Sequence, residues 1–381
     1  MKKLVSLFFA TLFFAGLSSA QTNGTLSWDG LTRNYIVYLP STYTPGSSFP
    51  LVFVLHGFTQ SSSTIMDVSG FNDVAEDNDF IAVYPNGVNN GWNTNAGFPG
   101  GSTADDIGFI GALIDEMHLL YNIDTNKVYS CGFSAGGYMS HRLACESDRC
   151  FAAIASVSGT MSNNAFNDCV PSKNMPVMQI HGTSDIVVNY NGGFGGKSVD
   201  DVINLWVANN SCPTTPVVTL LPDINTTDGS TVEQNIFEPC TDSATVILLK
   251  VIGGGHQWPG STSLLGGIGN INKDIIASEE IWNFFSGYSC PVTTSVSENL
   301  NSAFAFNIQN LGEGIYNLIL NDSQQKGFSF SIFDLTGKII STEKIITPSL
   351  SFNIDLSKYS NGVYFLNFIS ESESKTIKLI R

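Results

Sequence analysis

A short segment around Ser134 constrains the fold of this chain more than any other part of its sequence. The apolar run that begins at Val128 predicts a strand, and the residues after Ser134 predict the start of a helix. Between them lies Gly132-Phe133-Ser134-Ala135-Gly136, a G-x-S-x-G pattern. In a nucleophile elbow of this pattern the serine hydroxyl stands clear of the backbone, and a Cβ at the glycines would collide where strand and helix cross. The pentapeptide is a weak signal in a chain with 36 glycines, but its predicted flanks favour Ser134 as a nucleophile.

Apolar segments alternate with helical segments along residues 24–288, which predicts an α/β fold. A hairpin is expected at 24–40, and continuous apolar runs predict buried strands at 50–55, 80–85, 128–131, 151–157, 176–180 and 244–251. Helical spacing predicts helices at 105–120, 199–208 and 274–285. Two segments are expected to lack regular structure, a long loop at 86–104 and an irregular region at 212–240. The alternation predicts a mostly parallel central sheet flanked by helices, with its ligand site at the carboxyl ends of the strands.

The best candidate for the base that activates the serine is His256. A serine hydroxyl is a poor nucleophile until a base accepts its proton, and histidine is the most frequent base. Of the five histidines in the chain, His256 follows a predicted strand in a glycine-rich loop that can bring its ring close to Ser134.

The other four histidines have simpler interpretations. His118 lies inside a predicted helix, and His141 lies about two turns beyond the elbow, so its ring should point away from the serine. His56 and His181 each precede a glycine at the end of a predicted strand. We expect these two to hold turns through side-chain hydrogen bonds.

A base of this kind needs a carboxylate on its second ring nitrogen, and Asp185 is the best candidate. It lies just after the predicted strand 176–180 and gives the chain order Ser134, Asp185, His256, which is typical of an α/β-hydrolase. Five other aspartates do not directly follow a strong strand and are expected to be solvated surface acids: Asp148, Asp168, Asp200, Asp201 and Asp223.

The oxyanion of a tetrahedral intermediate needs preorganised donors, and two backbone amides are placed to supply them. The N–H of Ala135 comes directly after the nucleophile, and the N–H of Phe58 comes from the loop after strand 50–55. The Phe58 ring would then lie beside the scissile ester. Trp92 and Trp258 are candidate walls of the same substrate cleft, although each could equally belong to the core.

The N-terminus predicts export. Residues 1–20 have the pattern of a signal peptide, with Lys2 and Lys3, an apolar run at 4–16 and small residues that end at Ala20. The apolar run is shorter than a membrane anchor needs, and no later segment is long enough to span a bilayer.

The seven cysteines suit an oxidising compartment. Cys131, in the strand before the elbow, is expected to be a buried free thiol. Of the remaining six, the favoured pairs are Cys145–Cys169 and Cys212–Cys240, with Cys150 and Cys290 left over, but connectivity cannot be read from sequence. The spacings do not match a zinc site, and we expect no metal and no cofactor.

Changes in sequence pattern divide the chain into domains, and its net charge limits its partners. The expected catalytic domain spans 21–288, a linker spans 289–302, and short alternating strands at 303–381 predict a small all-β sandwich. A net charge of −16 without a basic patch disfavours nucleic acid as a partner. We expect a monomer.

Several motifs resemble those of a known family. Over roughly residues 24–288 the chain resembles the polyhydroxybutyrate depolymerase and feruloyl esterase-like branch of the α/β-hydrolases. The resemblance rests on four motifs in the same order: Leu55-His56-Gly57-Phe58, Gly132-Phe133-Ser134-Ala135-Gly136-Gly137, His181-Gly182-Thr183-Ser184-Asp185 and Gly255-His256-Gln257-Trp258-Pro259-Gly260. It implies hydrolysis of carboxylic esters by a Ser-His-Asp acyl-enzyme mechanism without a cofactor.

The tail resembles another known module. Gly362-Val363-Tyr364-Phe365 and the terminal Lys378-Leu379-Ile380-Arg381 are similar to the C-terminal sorting domain of the type IX secretion system of Bacteroidetes. This resemblance implies that the secretion machinery is a partner and that the protein is extracellular.

The sequence thus indicates a secreted serine carboxylesterase whose substrate is open. We favour polymeric or bulky hydrophobic esters, of the polyhydroxyalkanoate type or aromatic polyesters such as poly(ethylene terephthalate), because export suits a large substrate. The alternatives are a feruloyl or acetyl-xylan esterase of plant cell walls, a peptidase or lipase on the same scaffold, and, in another class, a non-catalytic secreted binding protein.

Overall fold

The chain divides into two compact units, Met1–Val292 and Thr293–Arg381. A computed structural model describes 20–95, 101–193, 196–264 and 268–290 in the first unit, and in the second 306–312, 315–320, 328–334, 337–345, 351–360, 362–369 and 374–381. The predicted signal peptide, apart from Ala20, and positions 291–302 of the predicted linker lie outside the described residues.

A ten-stranded sheet forms the centre of the first unit. Its strands, in chain order, are β1 (Ala20–Trp28), β2 (Leu31–Leu39), β3 (Phe49–Leu55), β4 (Ile81–Pro85), β5 (Ile123–Phe133), β6 (Ala153–Val157), β7 (Val177–Gly182), β8 (Val217–Leu220), β9 (Thr231–Phe237) and β10 (Val246–Ile252). Across the sheet they follow the order β1-β2-β4-β3-β5-β6-β7-β10-β9-β8. The strands from β4 to β10 in this order run parallel, and antiparallel strands extend both edges.

Helices cover both faces of this sheet, as the alternating sequence pattern predicts. They are α1 (Ser62–Ser69), α2 (Phe71–Asn78), α3 (Asp106–Tyr121), α4 (Ala135–Glu146), α5 (Asn163–Asn167), α6 (Val199–Asn209) and α7 (Ala277–Phe285). Buried side chains of α3, α4 and α6 join one apolar core, and those of α1, α2 and α7 join the other. The first unit therefore has the three-layer α/β-hydrolase fold.

Strand β3 shows why the sequence folds in this way. Leu51, Phe53 and Leu55 belong to one core, whereas Val52 and Val54 belong to the other, and all five are fully buried. Side chains alternate across a strand, so an unbroken apolar run fills both faces of a central parallel strand.

The segment 212–240 is more regular than its sequence indicates. It contains β8 and β9, which pair with each other, and β9 pairs with β10. All four residues of β8 are exposed, and β9 buries only Val232, Asn235 and Phe237 among mixed polar neighbours. The expectation of an irregular segment was wrong because these outer strands carry no continuous apolar run.

Three disulfides link the first unit. Both favoured pairs are bonded, Cys145 to Cys169 and Cys212 to Cys240. The third bond joins Cys150 to Cys290, which lie 140 residues apart in sequence. Cys131 is a buried free cysteine, and burial raises the pKa of its thiol well above the ordinary value.

The second unit is an all-β sandwich. One sheet contains β11 (Phe306–Gly312), β12 (Ile315–Leu320) and β15 (Ser351–Asp355), and the other contains β13 (Phe328–Asp334), β14 (Ile339–Ile345), β16 (Val363–Ile369) and β17 (Ser374–Ile380). Leu318 and Ile354 of the first sheet share a core with Ile332 and Leu366 of the second. Among the residues that the structure describes, no helix in either unit is long and apolar enough to cross a membrane.

Candidate active site

Ser134 occupies the sharp turn between β5 and α4. Its backbone has φ 52° and ψ −118°, and this positive φ costs free energy for a residue with a Cβ. The Ser134 N–H donates to the Val157 carbonyl at 2.8 Å, which ties the turn to the end of β6. This is the geometry of a nucleophile elbow, which presents the serine hydroxyl above the sheet.

The glycines around Ser134 are needed for close backbone approach. A Cβ on Gly132 would collide with the backbone of Gly136, and a Cβ on Gly136 would collide with the carbonyl of Leu55 in β3. Strand, turn and helix can therefore cross this tightly only if both residues are glycine.

Asp185 and His256 meet at the carboxyl ends of two neighbouring strands. Nδ1 of His256 lies 2.7 Å from Oδ2 of Asp185, which is 2% exposed. The other carboxylate oxygen accepts the N–H groups of Val187 at 2.9 Å and Val188 at 2.8 Å. A carboxylate held in this way keeps the imidazole proton on Nδ1, which leaves Nε2 free to accept another proton.

Aromatic packing brings His256 to the elbow. The His256 ring packs on the ring of Phe133, the residue before Ser134, with a centroid separation of 4.7 Å. The Ser158 hydroxyl, next to the elbow, donates to the Gln257 carbonyl at 3.2 Å. The structure contains no hydrogen bond between Ser134 and His256, a bond that free enzymes often form only when substrate is present.

The loop after β3 that carries Phe58 is held by buried hydrogen bonds. His56 donates from Nδ1 to the Gly57 carbonyl at 2.7 Å and accepts the Gly87 N–H on Nε2 at 3.0 Å. The Gly57 N–H donates to Oε1 of Gln60 at 2.9 Å. Burial lowers the pKa of His56 to about 4, so the ring is neutral at neutral pH. These contacts agree with the structural role expected for this histidine.

The two residues expected to supply oxyanion donors, Phe58 and Ala135, line the same cavity. Ala135 is the first residue of α4, and the Tyr138 N–H makes the first helical bond, to the Ser134 carbonyl. The N–H of Ala135 is therefore one of the donors that a helix leaves without an internal partner. Ser134 lines this cavity as well.

That cavity is an open cleft of about 580 Å³. Trp92 also lines it, and this indole is 1% exposed and donates from Nε1 to the His56 carbonyl at 2.9 Å. Trp92 thus forms part of the cleft wall and also braces the loop that carries Phe58.

Trp258 is not part of this cleft, so the expectation that it forms a wall was wrong. The indole is 1% exposed, donates to the Ser278 hydroxyl at 3.1 Å and packs edge-on against Phe71. The residue belongs to the core between the sheet and α1, α2 and α7. A ring two residues after His256 thus points into the core, whereas His256 itself contacts Asp185 and Phe133.

Sequence reasoning missed an apolar rim at this cleft. Ile186 and Val187, directly after Asp185, line it and are 79% and 52% exposed, and Phe58 is 47% exposed. Exposed apolar side chains clustered at a cleft are a sign of an apolar ligand. Two adjacent apolar residues in a loop after a predicted catalytic aspartate were the available signal.

Polar groups also line the cleft. Tyr138, four residues after Ser134 on α4, lines the cleft, and its hydroxyl accepts a hydrogen bond from Thr160 at 2.8 Å. Lys197 lines the cleft as well, with its ammonium 4.5 Å from the centre of the Phe166 ring. Helical spacing from Ser134 could have identified Tyr138, whereas Thr160 and Lys197 carry no local signal.

His118 and His141 lie away from the catalytic contacts described above, whereas His181 adjoins one of them. Nδ1 of His118 lies 3.1 Å from the Ile123 carbonyl. His141 is fully buried and packs against Trp206, and His181 is buried beside Asp185 with its Nε2 3.4 Å from Oδ2.

Comparison with known proteins identifies the family. Residues 33–205 match the family model described as "Esterase PHB depolymerase". A relative from Aspergillus clavatus, described as "Probable feruloyl esterase C", is 31% identical over 203 residues that cover 52% of this chain and 68% of that protein. The chain belongs to this esterase family. The esterase is therefore a carboxylic ester hydrolase, which argues against the alternative of a non-catalytic binding protein.

Other relatives are similar over most of the first unit. A protein from Aspergillus terreus, also described as "Probable feruloyl esterase C", is 28% identical over 71% of this chain and 90% of its own length. The bifunctional acetylxylan esterase/xylanase XynS20E of Neocallimastix patriciarum is 28% identical over 71% of this chain, and the match covers 35% of that enzyme. A solved acetyl xylan esterase from Aspergillus awamori aligns over 70% of this chain and 99% of its own, with a TM-score of 0.48 and 16% identity.

The tail of the esterase matches a second model. Residues 323–381 match the family described as "Secretion system C-terminal sorting domain". The type IX sorting domain expected from the terminal motifs is thus confirmed, and the esterase is an extracellular protein.

Proposed function

We propose that the protein is a secreted serine esterase in which Ser134, His256 and Asp185 hydrolyse bulky, hydrophobic carboxylic esters through an acyl-enzyme. The observation that carries the proposal is the 2.7 Å contact between Asp185 and His256, whose ring packs beside the strained Ser134 turn. A nucleophile, a base and an orienting carboxylate at the carboxyl ends of strands in one parallel sheet are the parts that acyl transfer requires.

The reaction begins when Nε2 of His256 takes the proton of the Ser134 hydroxyl. The serine oxygen attacks the ester carbonyl, and the N–H groups of Phe58 and Ala135 stabilise the negative oxygen of the tetrahedral intermediate. His256 then gives its proton to the departing alcohol. Water, activated by the same ring, attacks the acyl-enzyme, and the acid leaves as Ser134 recovers its proton.

The shape and chemistry of the cleft support a bulky apolar substrate. A cleft of about 580 Å³ is large enough for an aromatic acyl group, and its rim consists of Phe58, Ile186 and Val187. A polymer cannot enter a closed pocket, so an open cleft with exposed apolar side chains suits an aliphatic or aromatic polyester segment. Adsorption to such a surface is driven by burial of the rim.

Feruloyl or acetyl-xylan ester hydrolysis is the second candidate. It is favoured by the relatives from Aspergillus terreus and Neocallimastix patriciarum, which are described as a feruloyl esterase and an acetylxylan esterase/xylanase. The Tyr138 hydroxyl and Lys197 in the cleft would suit the polar substituents of a phenolic acid.

The experiment is a hydrolysis panel with the mature protein, with Ser134→Ala as the blank. The substrates are methyl ferulate, acetylated xylan, a polyhydroxybutyrate film and a terephthalate diester. Release from the film and the terephthalate ester supports the hydrophobic polyesterase. Release from ferulate or acetylated xylan alone overturns that substrate assignment in favour of the second candidate, and full activity of Ser134→Ala overturns the mechanism.

A further inference from the structure

A continuous chain of buried side-chain hydrogen bonds lies behind Asp185. Trp206 Nε1 lies 3.2 Å from His141 Nδ1, and His141 Nε2 lies 3.2 Å from Gln179 Oε1. Gln179 Nε2 lies 3.2 Å from His181 Nδ1, and His181 Nε2 lies 2.8 Å from the Val188 carbonyl. The four side chains are at most 1% exposed, so no solvent competes for these bonds.

The chemistry of the groups determines which atom donates and which accepts in each of these hydrogen bonds. An indole N–H can only donate, so Nδ1 of His141 accepts and its proton lies on Nε2. Gln179 Nε2 also lies 2.7 Å from the Gly159 carbonyl, which can only accept, so the amide NH₂ faces His181 and the amide oxygen faces His141. Nδ1 of His181 therefore accepts, and its Nε2–H donates to Val188.

Both histidines must be neutral for the chain to form. A proton added to Nδ1 of His141 would face the indole N–H of Trp206, and one added to Nδ1 of His181 would face the amide NH₂ of Gln179. The nearby Gly159 carbonyl opposes the second effect, because it favours the charged ring of His181. Burial lowers the pKa of His141 to about 4, and burial lowers the pKa of His181 as well, despite the opposing effect of Asp185. The network is consequently complete and fixed at neutral pH.

The last bond of the chain acts on the peptide that holds the catalytic carboxylate. Val188 accepts from His181 through its carbonyl and donates through its N–H to Oδ1 of Asp185 at 2.8 Å. With Oδ1 occupied by two backbone amides, Oδ2 is the oxygen that meets His256. His181 therefore reaches the carboxylate of Asp185 in two ways, through the Val188 peptide and through its own Nε2, which lies 3.4 Å from Oδ2.

We infer that Gln179 and His181 are positioning residues for the esterase reaction: they fix the Val188 peptide, and through it the carboxylate of Asp185, from within β7. The inference rests on the proposed function, because it assigns these residues to the same triad. Neither residue lines the described cleft, but the Val188 that they hold does, so a fall in kcat that is larger than any change in KM is the signature of positioning.

The test compares variants that remove members of this hydrogen-bond network with one variant that keeps its donor and acceptor. Gln179→Met replaces the amide with an apolar side chain of similar length, and His181→Phe removes both ring nitrogens. His181→Gln keeps one donor and one acceptor. The control is Asn210→Leu. Asn210 is fully buried and bonds to Met175 and Ala244, residues that precede β7 and β10 at the opposite end of the sheet.

Two readouts separate positioning from a general loss of stability. The first is kcat and KM on 4-nitrophenyl acetate, corrected for folded protein by the thermal transition. The second is the low-field proton resonance of His256 Nδ1–H, which reports the bond to Asp185 without any turnover.

We expect Gln179→Met and His181→Phe to lower kcat by about 10- to 100-fold with KM within about twofold, because small displacements of catalytic groups are costly. Their low-field resonance should shift or broaden, and His181→Gln should recover most of kcat. Asn210→Leu should lower the melting temperature and leave both readouts as in the parent protein.

An unchanged kcat and resonance in folded Gln179→Met would overturn the inference, as would an equal fall of kcat in Asn210→Leu. If Gln179→Met does not fold, His181→Gln and His181→Phe are compared instead, and equal kcat and equal resonances in these two variants would overturn the inference. Full activity of Ser134→Ala would instead refute the proposed function, and the resonance would still report whether the chain orients Asp185.

Discussion

Oδ2 of Asp185 lies 2.7 Å from Nδ1 of His256, although 71 residues separate them in sequence. The contact exists because β7 and β10, which precede the two residues, are adjacent and parallel in the sheet. Both loops therefore emerge at the same edge, next to the elbow that follows β5. Topology, more than local sequence, assembles the site.

Asp185→Asn should reduce kcat for a soluble ester by about 10³- to 10⁴-fold. The asparagine oxygen can still accept the N–H groups of Val187 and Val188, so its NH₂ would face His256 and favour the tautomer with the proton on Nε2. That tautomer cannot take the serine proton. Steady-state kinetics with melting curves test this, and a loss below tenfold in a folded variant would contradict the assigned role.

Gly132→Ala should destabilise the fold by at least about 3 kcal/mol, because the added Cβ meets backbone atoms that cannot move aside. Gly111→Ala is the matched control, since the nearest atom to its new Cβ is 3.5 Å away on the flexible Arg149 side chain. The control lies in α3 and should be neutral or stabilising by up to about 1 kcal/mol. Urea denaturation measures both, and equal stabilities would contradict the steric account of the elbow.

The exposed rim should matter more for a polymer than for a soluble ester. Ile186→Ser combined with Val187→Ser should lower the ratio of the rate on polyhydroxybutyrate film to the rate on a soluble ester by about tenfold, because less apolar surface is buried on adsorption. Ile224→Ser is the control, since Ile224 is 73% exposed and does not line the cleft. If the parent, the double variant and Ile224→Ser have the same ratio of film rate to soluble-ester rate, the result would argue against adsorption through the rim.

Acid should destabilise the first unit from about pH 6.5 downward. Burial lowers the pKa values of His56 and His141 from 6.5 to about 4. Between these values the two histidines are protonated in the unfolded chain and neutral in the folded chain. Their contribution is fully present above pH 6.5 and is lost as the pH falls toward 4, by roughly 3 kcal/mol for each histidine.

Melting temperatures between pH 7 and pH 4 measure this loss. His141→Gln, which keeps a donor and an acceptor but does not titrate, should flatten part of the slope. A melting temperature that is constant over this range would contradict the neutral, buried state of the two rings.

Much of the site could be predicted because parallel strands bring distant loops to one edge. The apolar runs before Ser134, Asp185 and His256 identify three such strands, and the structure brings all three loops together. Trp258 was misplaced because sequence does not say which side of a loop faces the core. Strands β8 and β9 were missed because outer strands lack the apolar run that marks central ones.

The role of Gln179 could not be predicted from the residues around it in sequence. This residue interrupts an apolar run in β7, and a buried amide needs partners that only the fold supplies, here His141 and His181. The Cys150–Cys290 bond was equally hidden, because it joins positions 140 residues apart.

The most direct test of the central claim is covalent labelling of the serine. The mature protein is treated with a fluorophosphonate, digested and analysed by mass spectrometry, in parallel with His256→Gln. We expect one label per molecule on Ser134, and a labelling rate lower by several orders of magnitude in the variant, because a serine reacts quickly only when a neighbouring base accepts its proton. Labelling at another residue, or equal rates in the two proteins, would contradict that claim.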